Sequence, residues 1–272
     1  MAQRIYAFAN QKGGVGKTTS CVNLAASLVV LNQRVLLLDM DPQGNATMGS
    51  GVDKNAVEKS MNDLLLQQVS MDEAIIRQTP AGYDLVAANC DLTAAEVALL
   101  KKGKQERILA DALAPFRDQY DFILLDCPPS LNMLTVNALT AADAVIIAMQ
   151  CEYYALEGLS DLLNTISQLQ ATLNPRLYIG GIIRTLYDGR NRLSSEVSNQ
   201  LIEHFGNKVF QTVIPRNIRL AEAPSYGLPI ILYEKNSRGS SAYLTLGNEL
   251  LRRHTTANSK KELNQKEAAL EI

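Results

Sequence analysis

The residues of this chain that are best placed to do chemistry lie in a short glycine- and lysine-rich segment near its start. That segment is Lys12-Gly13-Gly14-Val15-Gly16-Lys17-Thr18-Thr19. An apolar run at residues 5–9 precedes it, and an apolar helical pattern at residues 21–31 follows it. In a strand–loop–helix unit, backbone N–H groups and a helix N-terminus converge on one anion. The segment therefore predicts a phosphate-binding loop with a nucleoside triphosphate as its ligand.

Three side chains of this loop have separate predicted uses. Lys17 would reach the phosphates, and the Thr18 hydroxyl would coordinate Mg²⁺. The usual pattern begins with glycine where this chain has Gln11, and the additional Lys12 follows that position. A lysine there faces outward at the rim, where it could supply a cation to a phosphate held by a second subunit, as an arginine finger does. The alternative for Lys12 is an ordinary solvated loop lysine.

Two apolar runs further along the chain end in carboxylates. Asp39 and Asp41 follow residues 34–38 and share one face of an extended segment, because side chains alternate along a strand. Asp126 closes residues 122–125, as the aspartate of a Walker B strand does. Such carboxylates can orient a water molecule or the Mg²⁺ shell beside a γ-phosphate. The alternatives are a turn-capping role for the first pair and an ordinary buried strand end for Asp126, but the upstream loop favours the functional interpretation.

The composition narrows the class of protein. The 272 residues are 47% hydrophobic, which is enough for a substantial core, and no Pro/Gly/Ser-rich linker divides them. A net charge of −2 argues against a globally basic nucleic-acid-binding protein. Residues 176–253 nevertheless carry eleven Lys/Arg against six Asp/Glu. This local excess is either chance clustering on a solvated surface or a binding patch.

Cysteine spacing and hydropathy predict a cytoplasmic chain. None of the four cysteines forms a CxxC pair, and no signal peptide precedes the first predicted strand. No apolar stretch approaches the roughly 18 residues of a membrane span. We therefore expect reduced thiols that pack in the interior.

Apolar runs alternate with helical patterns along the chain. The predicted strands span residues 4–10, 34–41, 83–89, 122–127, 144–150, 177–185, 208–214 and 229–232. The predicted helices span residues 18–31, 61–68, 71–78, 94–100, 105–112, 131–142, 154–173, 193–205 and 240–253. Several strands are continuous apolar runs, which is typical of strands buried on both faces. We predict an α/β fold, a single doubly wound and mostly parallel sheet with helices on both faces. The ATPase domain would span residues 1–254, and residues 255–272 would form a charged tail, either a frayed helix or disordered.

The motifs together closely resemble those of the ParA/Soj family of chromosome- and plasmid-partitioning ATPases, which carry a deviant Walker A loop. Besides the loop itself, the matching segments are residues 38–47, 126–130, 151–158 and 214–225. The likeness runs from about residue 4 to residue 253. It points to Soj-like chromosomal proteins without an extra N-terminal DNA-binding domain.

The resemblance implies a nucleotide mechanism. ATP with Mg²⁺ would drive formation of a sandwich homodimer with nucleotide at its interface, and Lys12 would act in trans. Lys17 would bind phosphate and Thr18 would ligate Mg²⁺. Asp41 would position the attacking water, and Asp126 would support the metal from behind its direct ligands.

The resemblance also implies partners. Pro215 and Asn217 would lie by the adenine, and Arg190 and Arg219 would bind double-stranded DNA without sequence preference. Sequence-independent binding needs only phosphate contacts, and two weak patches paired in one dimer would gain strongly in avidity. A ParB/Spo0J-type centromere-binding protein would stimulate the slow hydrolysis. The protein would be cytoplasmic in a bacterium, nucleoid-associated when ATP-bound, and would not bind membranes.

Three competing assignments stay open. A MinD-like membrane regulator needs a basic amphipathic C-terminal helix, whereas the tail offers only Leu263, Leu270 and Ile272 among many charges. A nitrogenase-type iron protein needs cluster cysteines, for which Cys90 and Cys127 are the one plausible pair. An ATP-dependent synthetase of the same fold is the related alternative. A GTPase would carry an Asn-Lys-x-Asp guanine signature, which this sequence lacks.

Overall fold

One eight-stranded sheet forms the centre of the protein. The computed structural model describes the backbone of residues 5–270 and the side chains of residues 5–254. The strand order is β3-β4-β2-β5-β1-β6-β7-β8, and every pairing is parallel except that of β3 with β4. Strands β1 to β8 are Ile5–Phe8, Val35–Asp39, Ile75–Ile76, Asp84–Val86, Phe122–Asp126, Ala144–Gln150, Tyr178–Tyr187 and Val209–Pro215. The predicted single, mostly parallel sheet is confirmed.

Helices pack on both faces of this sheet. Among the described residues, α1 to α12 are Lys17–Val30, Asn45–Gly49, Met61–Leu65, Met71–Ala74, Leu92–Lys102, Ile108–Leu113, Met133–Ala141, Ala155–Thr172, Arg192–Phe205, Ile218–Glu222, Ile230–Tyr233 and Arg238–Leu270. Helices α3 to α9 contribute to the core on one face, and α1, α2 and α10 to α12 contribute to the core on the other.

Alternate residues of the strands pack in the two cores. In β1, Ile5 and Ala7 belong to the first core, and Tyr6 and Phe8 belong to the second. Because both faces of the central strands are buried, their sequences are continuous apolar runs rather than polar–apolar alternations. The loops that follow β1, β2, β5, β7 and β8 all leave from the carboxyl edge of the sheet, where ligands of such folds bind.

The strand predicted at residues 229–232 is wrong. This segment is the helix α11, which starts after Pro229 and buries Ile230 and Ile231 in the second core. Proline is pre-organised for a helix start, and the Ile230 N–H donates to the side-chain oxygen of Asn23 in α1 at 2.6 Å. An apolar run of four residues has no periodicity that distinguishes a strand from a buried helical turn. The contact with α1 therefore determines its helical conformation.

The helix predicted at residues 71–78 is also wrong in its second half. Helix α4 ends at Ala74, and Ile75–Ile76 forms the antiparallel edge strand β3 against β4. Ser70 and Glu73 form a capping box at the start of α4, which explains the helical signal there. The short helix α2 was not predicted, because its five residues are too few for a periodic pattern.

Two further predictions concern the ends of the chain: the start of the first strand and the C-terminal tail. Helix α12 continues to Leu270, so its backbone is helical beyond the predicted domain end at residue 254. Residues 1–4, where the first strand was predicted to begin, and residues 271–272 of the predicted tail lie outside the described residues. The division into a domain and a tail stays a prediction. Among residues 5–270, no helix is both long and apolar enough to cross a membrane.

Candidate nucleotide-binding site

The loop between β1 and α1 carries the predicted phosphate-binding residues. Gly14 and Gly16 have φ angles of +71° and +82°, a left-handed conformation that residues with a Cβ rarely adopt. Gly16 is the N-cap of α1, and Lys17 begins the helix. The N-terminus of α1, the positive end of the helix dipole, therefore opens on the loop, an arrangement that binds phosphate.

A cavity of about 420 Å³ adjoins this loop. Its lining includes most of the predicted site residues, namely Gly13, Gly14, Gly16, Lys17, Thr18, Thr19, Asp41, Pro215 and Asn217. These residues come from the first loop, the end of β2 and the end of β8, which are distant in sequence. The volume lies within the range of small-ligand and cofactor sites. The structure thus brings together the residues that the sequence assigned to phosphate, catalysis and base.

Lys17 is a buried cation at the base of this cavity. It is 6% exposed, and its Nζ donates a hydrogen bond to the Lys12 carbonyl oxygen at 3.2 Å. Burial lowers the pKa of Lys17, and the negative charges of Asp126 and Asp41 act against that shift. Lys17 forms no ion pair with any side chain that the structure describes, and a desolvated ammonium group attracts an anion more strongly than one in water does.

The two aspartates after β2 have different surroundings. Asp39 is fully buried and accepts hydrogen bonds from the Thr47 N–H and hydroxyl, both at 2.8 Å, and from the Asp41 N–H at 3.1 Å. Burial raises the pKa of Asp39 to about 6. Asp41 lines the cavity and accepts one hydrogen bond, from the Gln43 N–H at 2.9 Å. Strand β2 ends at Asp39 and not at residue 41 as predicted, so Asp39 holds the turn that follows while Asp41 lines the cavity.

Asp126 lies at the end of β5, next to the end of β2, where it pairs in register with Asp39. It is fully buried, and neither carboxylate oxygen has a hydrogen-bond partner. Burial raises the pKa of Asp126 well above its usual range, and the negative charge of Asp39 adds to this, while Thr18 and Lys17 oppose it. Buried carboxylate oxygens without donors are costly, and a hydrated cation would satisfy them. Thr18 and Asp126 therefore fit a Mg²⁺ site.

The opposite side of the cavity is formed by the ends of β7 and β8. The Thr185 hydroxyl donates to the Val15 carbonyl oxygen at 2.7 Å, which ties β7 to the phosphate-binding loop. Leu186, which lines the cavity, has a φ of +50°, an unusual conformation for a branched side chain. Asn217 also lines the cavity and accepts a hydrogen bond from the Leu220 N–H at 3.3 Å as the N-cap of α10.

Lys12 lies outside the cavity lining, at its rim. Its side chain is 48% exposed, and Nζ pairs with a Glu152 carboxylate oxygen at 2.5 Å. The Lys12 N–H donates to the Asn10 side-chain oxygen at 3.0 Å, which turns the backbone at the start of the loop. The ammonium group therefore points away from the site that Lys17 serves.

The predicted DNA-binding arginines lie outside the cavity. Arg190 and Arg219 are exposed, and each pairs with a nearby carboxylate, Asp188 and Glu222 respectively. They follow β7 and β8, so they lie at the same edge of the sheet as the cavity. Arg184, counted in the basic segment, is buried and bonds to Ser198 and two backbone carbonyls, so it contributes no surface charge.

Sequence reasoning missed several residues of this site, among them Thr185, Leu186 and Glu152. Thr185 and Leu186 escaped notice because they end an apolar strand run without any motif. A polar residue at the carboxyl end of a buried strand was the available signal for Thr185. The pairing of Glu152 with Lys12 joins residues far apart in the chain, and no local pattern predicts it.

Comparisons with known proteins assign the family. A model of the AAA-domain family matches residues 3–179. The sporulation initiation inhibitor protein Soj of Bacillus subtilis is 49% identical over 247 residues, which cover 91% of this chain and 98% of Soj. The chromosome partitioning protein ParA of Caulobacter vibrioides is 45% identical over 259 residues, which cover 94% of this chain and 97% of that protein. The chain belongs to the ParA/Soj family of P-loop ATPases. The predicted family and ATPase activity are thus confirmed.

A solved structure agrees with the fold of this ParA/Soj-family protein. Cobyrinic acid a,c-diamide synthase from Mycobacterium smegmatis, with a bound ATP analogue and magnesium, superposes with a TM-score of 0.82 at 38% identity. The match covers 94% of this chain and 97% of the synthase. The iron-protein alternative finds no support in the cysteines, because Cys127 is buried in the first core whereas Cys90 is exposed.

Proposed function

We propose that this chain is a chromosome-partitioning ATPase whose ATP-bound dimer binds DNA without sequence preference and leaves it after hydrolysis. The observation that carries the proposal is the contrast between the two lysines of one loop. Lys17 is buried at the cavity, whereas Lys12 is exposed at the rim. Lys17 would serve the nucleotide of its own chain, and Lys12 would serve the nucleotide of a second copy.

ATP and Mg²⁺ are the nucleotide and the metal of this ATPase. The N–H groups of residues 13–19 and the Lys17 ammonium would hold the phosphates, and Thr18 and Asp126 would hold the metal. When bound, Mg²⁺ supplies charge neutralisation at the phosphates. Two observations on the described residues support this assignment: the carboxylate oxygens of Asp126 have no hydrogen-bond partner, and the Lys17 ammonium donates only to a backbone carbonyl.

Asp41 would orient the water that attacks the γ-phosphate. It lines the cavity, and among the described residues its carboxylate has no hydrogen-bond partner besides the Gln43 N–H. The Asp39–Thr47 hydrogen bonds hold the turn from which Asp41 projects. A carboxylate with a rigid backbone and an available oxygen can hold a water molecule in line with the leaving group.

Dimerisation would bring the Lys12 ammonium to the phosphates of the partner's nucleotide. In the single chain this ammonium pairs with Glu152, an exposed contact of the kind that contributes little to stability. Exchanging the carboxylate for a phosphate therefore costs little and adds a cation where negative charge develops. Hydrolysis would thus depend on dimerisation.

DNA binding would use Arg190 and Arg219, which project from the same edge of the sheet as the cavity. Each arginine pairs with a carboxylate of its own chain, so a monomer should bind DNA weakly. A dimer would present two such surfaces to one duplex and gain avidity without new contacts. A ParB-type centromere-binding protein is the proposed activator, and the ATP-bound dimer would associate with the nucleoid of a bacterial cytoplasm. Residues 1–254 would form the ATPase domain, with residues 255–272 as a tail.

The decisive experiment is DNA binding with ATP, with ADP and without nucleotide, in the wild-type protein and in Asp41→Ala. We expect gel shifts at low salt only with ATP, and a longer-lived complex for Asp41→Ala. Arg190→Glu and Arg219→Glu should weaken the shift while ATP-dependent dimerisation persists. Arg34→Glu is the matched control, because Arg34 is also exposed and paired, with Asp121, but precedes β2 at the opposite edge of the sheet. Equal DNA binding in all nucleotide states would refute the proposal.

An amide-forming synthase is the second candidate, because the solved synthase from Mycobacterium smegmatis shares 38% identity with this chain. Relatives with partitioning and sporulation names are more similar, at 45% and 49% identity. ATP turnover that depends on a small carboxylic acid and an ammonia donor, and not on DNA, would favour the synthase.

A further inference from the structure

Strand β8 contains an irregularity just before it reaches the cavity. Ile182 of β7 pairs with Val209, but Arg184 pairs with Val213, so β8 bulges over residues 210–212. A bulge bends its strand and leaves local backbone N–H and C=O groups outside the ladder. Such groups need other partners when they are buried.

Arg184 satisfies the carbonyl groups of the bulge from one face of the sheet. One terminal nitrogen of its guanidinium donates to the Phe210 and Gln211 carbonyl oxygens at 2.8 and 2.9 Å. The other donates to the Ser198 hydroxyl of α9 at 2.8 Å. The residue is 7% exposed, and its Nε has no partner. The buried Arg184 guanidinium therefore bonds to the bulge even though its Nε donor stays unpaired.

Glu249 of α12 satisfies the N–H groups of the same bulge from the other face. Its carboxylate oxygens accept from the Gln211 N–H at 2.8 Å and the Thr212 N–H at 2.9 Å. They also accept from the Thr212 hydroxyl at 2.7 Å and from Arg253 at 2.8 Å. Two opposite charges on opposite faces of the sheet thus clamp one distorted segment of backbone.

The clamped segment leads directly into the cavity. After the bulge, Ile214 and Pro215 line the cavity, and Asn217 follows them. We propose that Arg184 and Glu249 are positioning residues that set the place of this wall (Ile214, Pro215 and Asn217) and thereby the preference of the site for adenine over guanine. The inference rests on the proposed function, in which the base lies against this wall.

Stability alone is a poor explanation of the clamp. Burying a charged side chain costs desolvation energy that offsets much of what its hydrogen bonds contribute, and a regular strand would need neither charge. A bulge that must keep one geometry does need them, since two of its carbonyl groups and two of its N–H groups then have directional, charge-assisted partners. Misplacing a binding wall by even a small distance alters base recognition, while the phosphate contacts on the far side of the cavity are untouched.

The test compares three ligands in the presence of Mg²⁺: a non-hydrolysable ATP analogue, the corresponding GTP analogue and inorganic tripolyphosphate. The variants are Arg184→Lys and Glu249→Gln, which keep size but lose part of the clamp. We expect ATP-analogue affinity to fall by about tenfold, the effect of one lost charge-assisted hydrogen bond, and tripolyphosphate affinity to change by less than about twofold. The preference for the ATP analogue over the GTP analogue should shrink accordingly.

Two further variants separate the possible outcomes. Arg117→Met breaks the Arg117–Asp143 ion pair at the amino edge of the sheet, so it should lower thermal stability without changing base preference. Asn217→Ala alters the wall itself. An unchanged base preference in Asn217→Ala would overturn the proposed placement of the base. A changed preference in Asn217→Ala, with none in the clamp variants, would overturn only the positioning role of Arg184 and Glu249.

An equal loss of affinity for all three ligands in the clamp variants would also overturn that role, since it would indicate a general structural defect. If a clamp variant fails to fold, Thr212→Val provides the same test. It removes only the hydroxyl bond to Glu249 and should shift base preference in the same direction by about two- to threefold. No shift in a folded Thr212→Val would count against the clamp.

Discussion

On the loop side of the cavity, neighbouring residues in the sequence are neighbours in space, whereas the wall opposite is assembled from distant segments. Residues 12–19 form the loop through local backbone conformation, with Gly14 and Gly16 in the left-handed region. The wall (Ile214, Pro215 and Asn217) follows the β8 bulge, whose backbone is bonded by side chains of β7 and α12. The difference shows that one ligand site can combine a local motif with a purely tertiary surface.

The two sides also differ in how charge is used. Next to the loop, Lys17 and Asp126 are buried, and neither forms an ion pair within the part of the chain that the structure describes, which leaves both available to a ligand. Behind the wall, Arg184 and Glu249 form hydrogen bonds with backbone groups of the β8 bulge. In our proposal, the buried charges next to the loop serve ligand binding, and the buried charges behind the wall serve its geometry.

The largest expected effect is on the loop side. Lys17→Ala removes the buried cation, and we expect ATP affinity to fall by about 100-fold or more, since a fully desolvated charge partner is worth several kcal/mol. Titration calorimetry with an ATP analogue and Mg²⁺ measures this. Lys12→Ala is the matched control, because it removes a lysine of the same loop that lies outside the cavity, and monomer affinity should be nearly unchanged. Tight binding by Lys17→Ala would contradict the loop assignment.

The second-largest expected effect is on ATP turnover, and it separates catalysis from ATP binding on the loop side. Asp41→Ala should slow ATP turnover by about 10²- to 10⁴-fold, the usual contribution of one positioned acid–base or water-orienting group. ATP-analogue affinity should stay close to that of the wild type. Steady-state phosphate release and calorimetry measure the two quantities. Unchanged turnover would remove Asp41 from the mechanism and leave the loop side with a binding role alone.

Gly13→Val tests whether the loop side faces a second copy. A Cβ at residue 13 would have nothing within 4 Å in the single chain, so the monomer should fold and bind ATP normally. In a face-to-face dimer the added side chain would be overpacked, and we expect dimer affinity to fall by about 5- to 100-fold. Light scattering of the Asp41→Ala background with ATP measures this. A normal dimer would argue against the trans role of Lys12.

The smallest effect concerns the bond that joins the two sides. Thr185→Val removes the hydroxyl that donates to the Val15 carbonyl oxygen, with little change in side-chain volume. We expect ATP affinity to fall by about 2- to 10-fold, the effect of one neutral hydrogen bond. Thr172→Val is a control that loses a comparable hydroxyl bond, to the Gln168 carbonyl, on the exposed surface of α8. Equal effects of the two variants would show that the two sides are not coupled through Thr185.

The features whose positions were predicted correctly share one property: each is encoded by residues that are adjacent in the sequence. The loop, the carboxylates at the ends of β2 and β5, and the parallel sheet all follow from runs of apolar residues and the motifs that end them. The errors occurred where a short segment had two possible conformations. Residues 229–232 became a helix because α1 offered a buried acceptor, and Ile75–Ile76 became a strand because β4 offered an edge.

The sequence by itself determined the nucleotide-binding unit, since glycines with positive φ, a helix start and a lysine within eight residues specify a phosphate site through local backbone geometry. It also determined the layered fold, because continuous apolar runs must be covered on both faces. Only the tertiary structure decided which aspartate faces the cavity, which arginines are buried and how the wall is held. Those features depend on contacts between different elements of the fold, such as Thr185 of β7 with Val15 of the loop and Glu249 of α12 with the β8 bulge. No local pattern encodes such contacts, because they are set by how the helices pack onto the sheet.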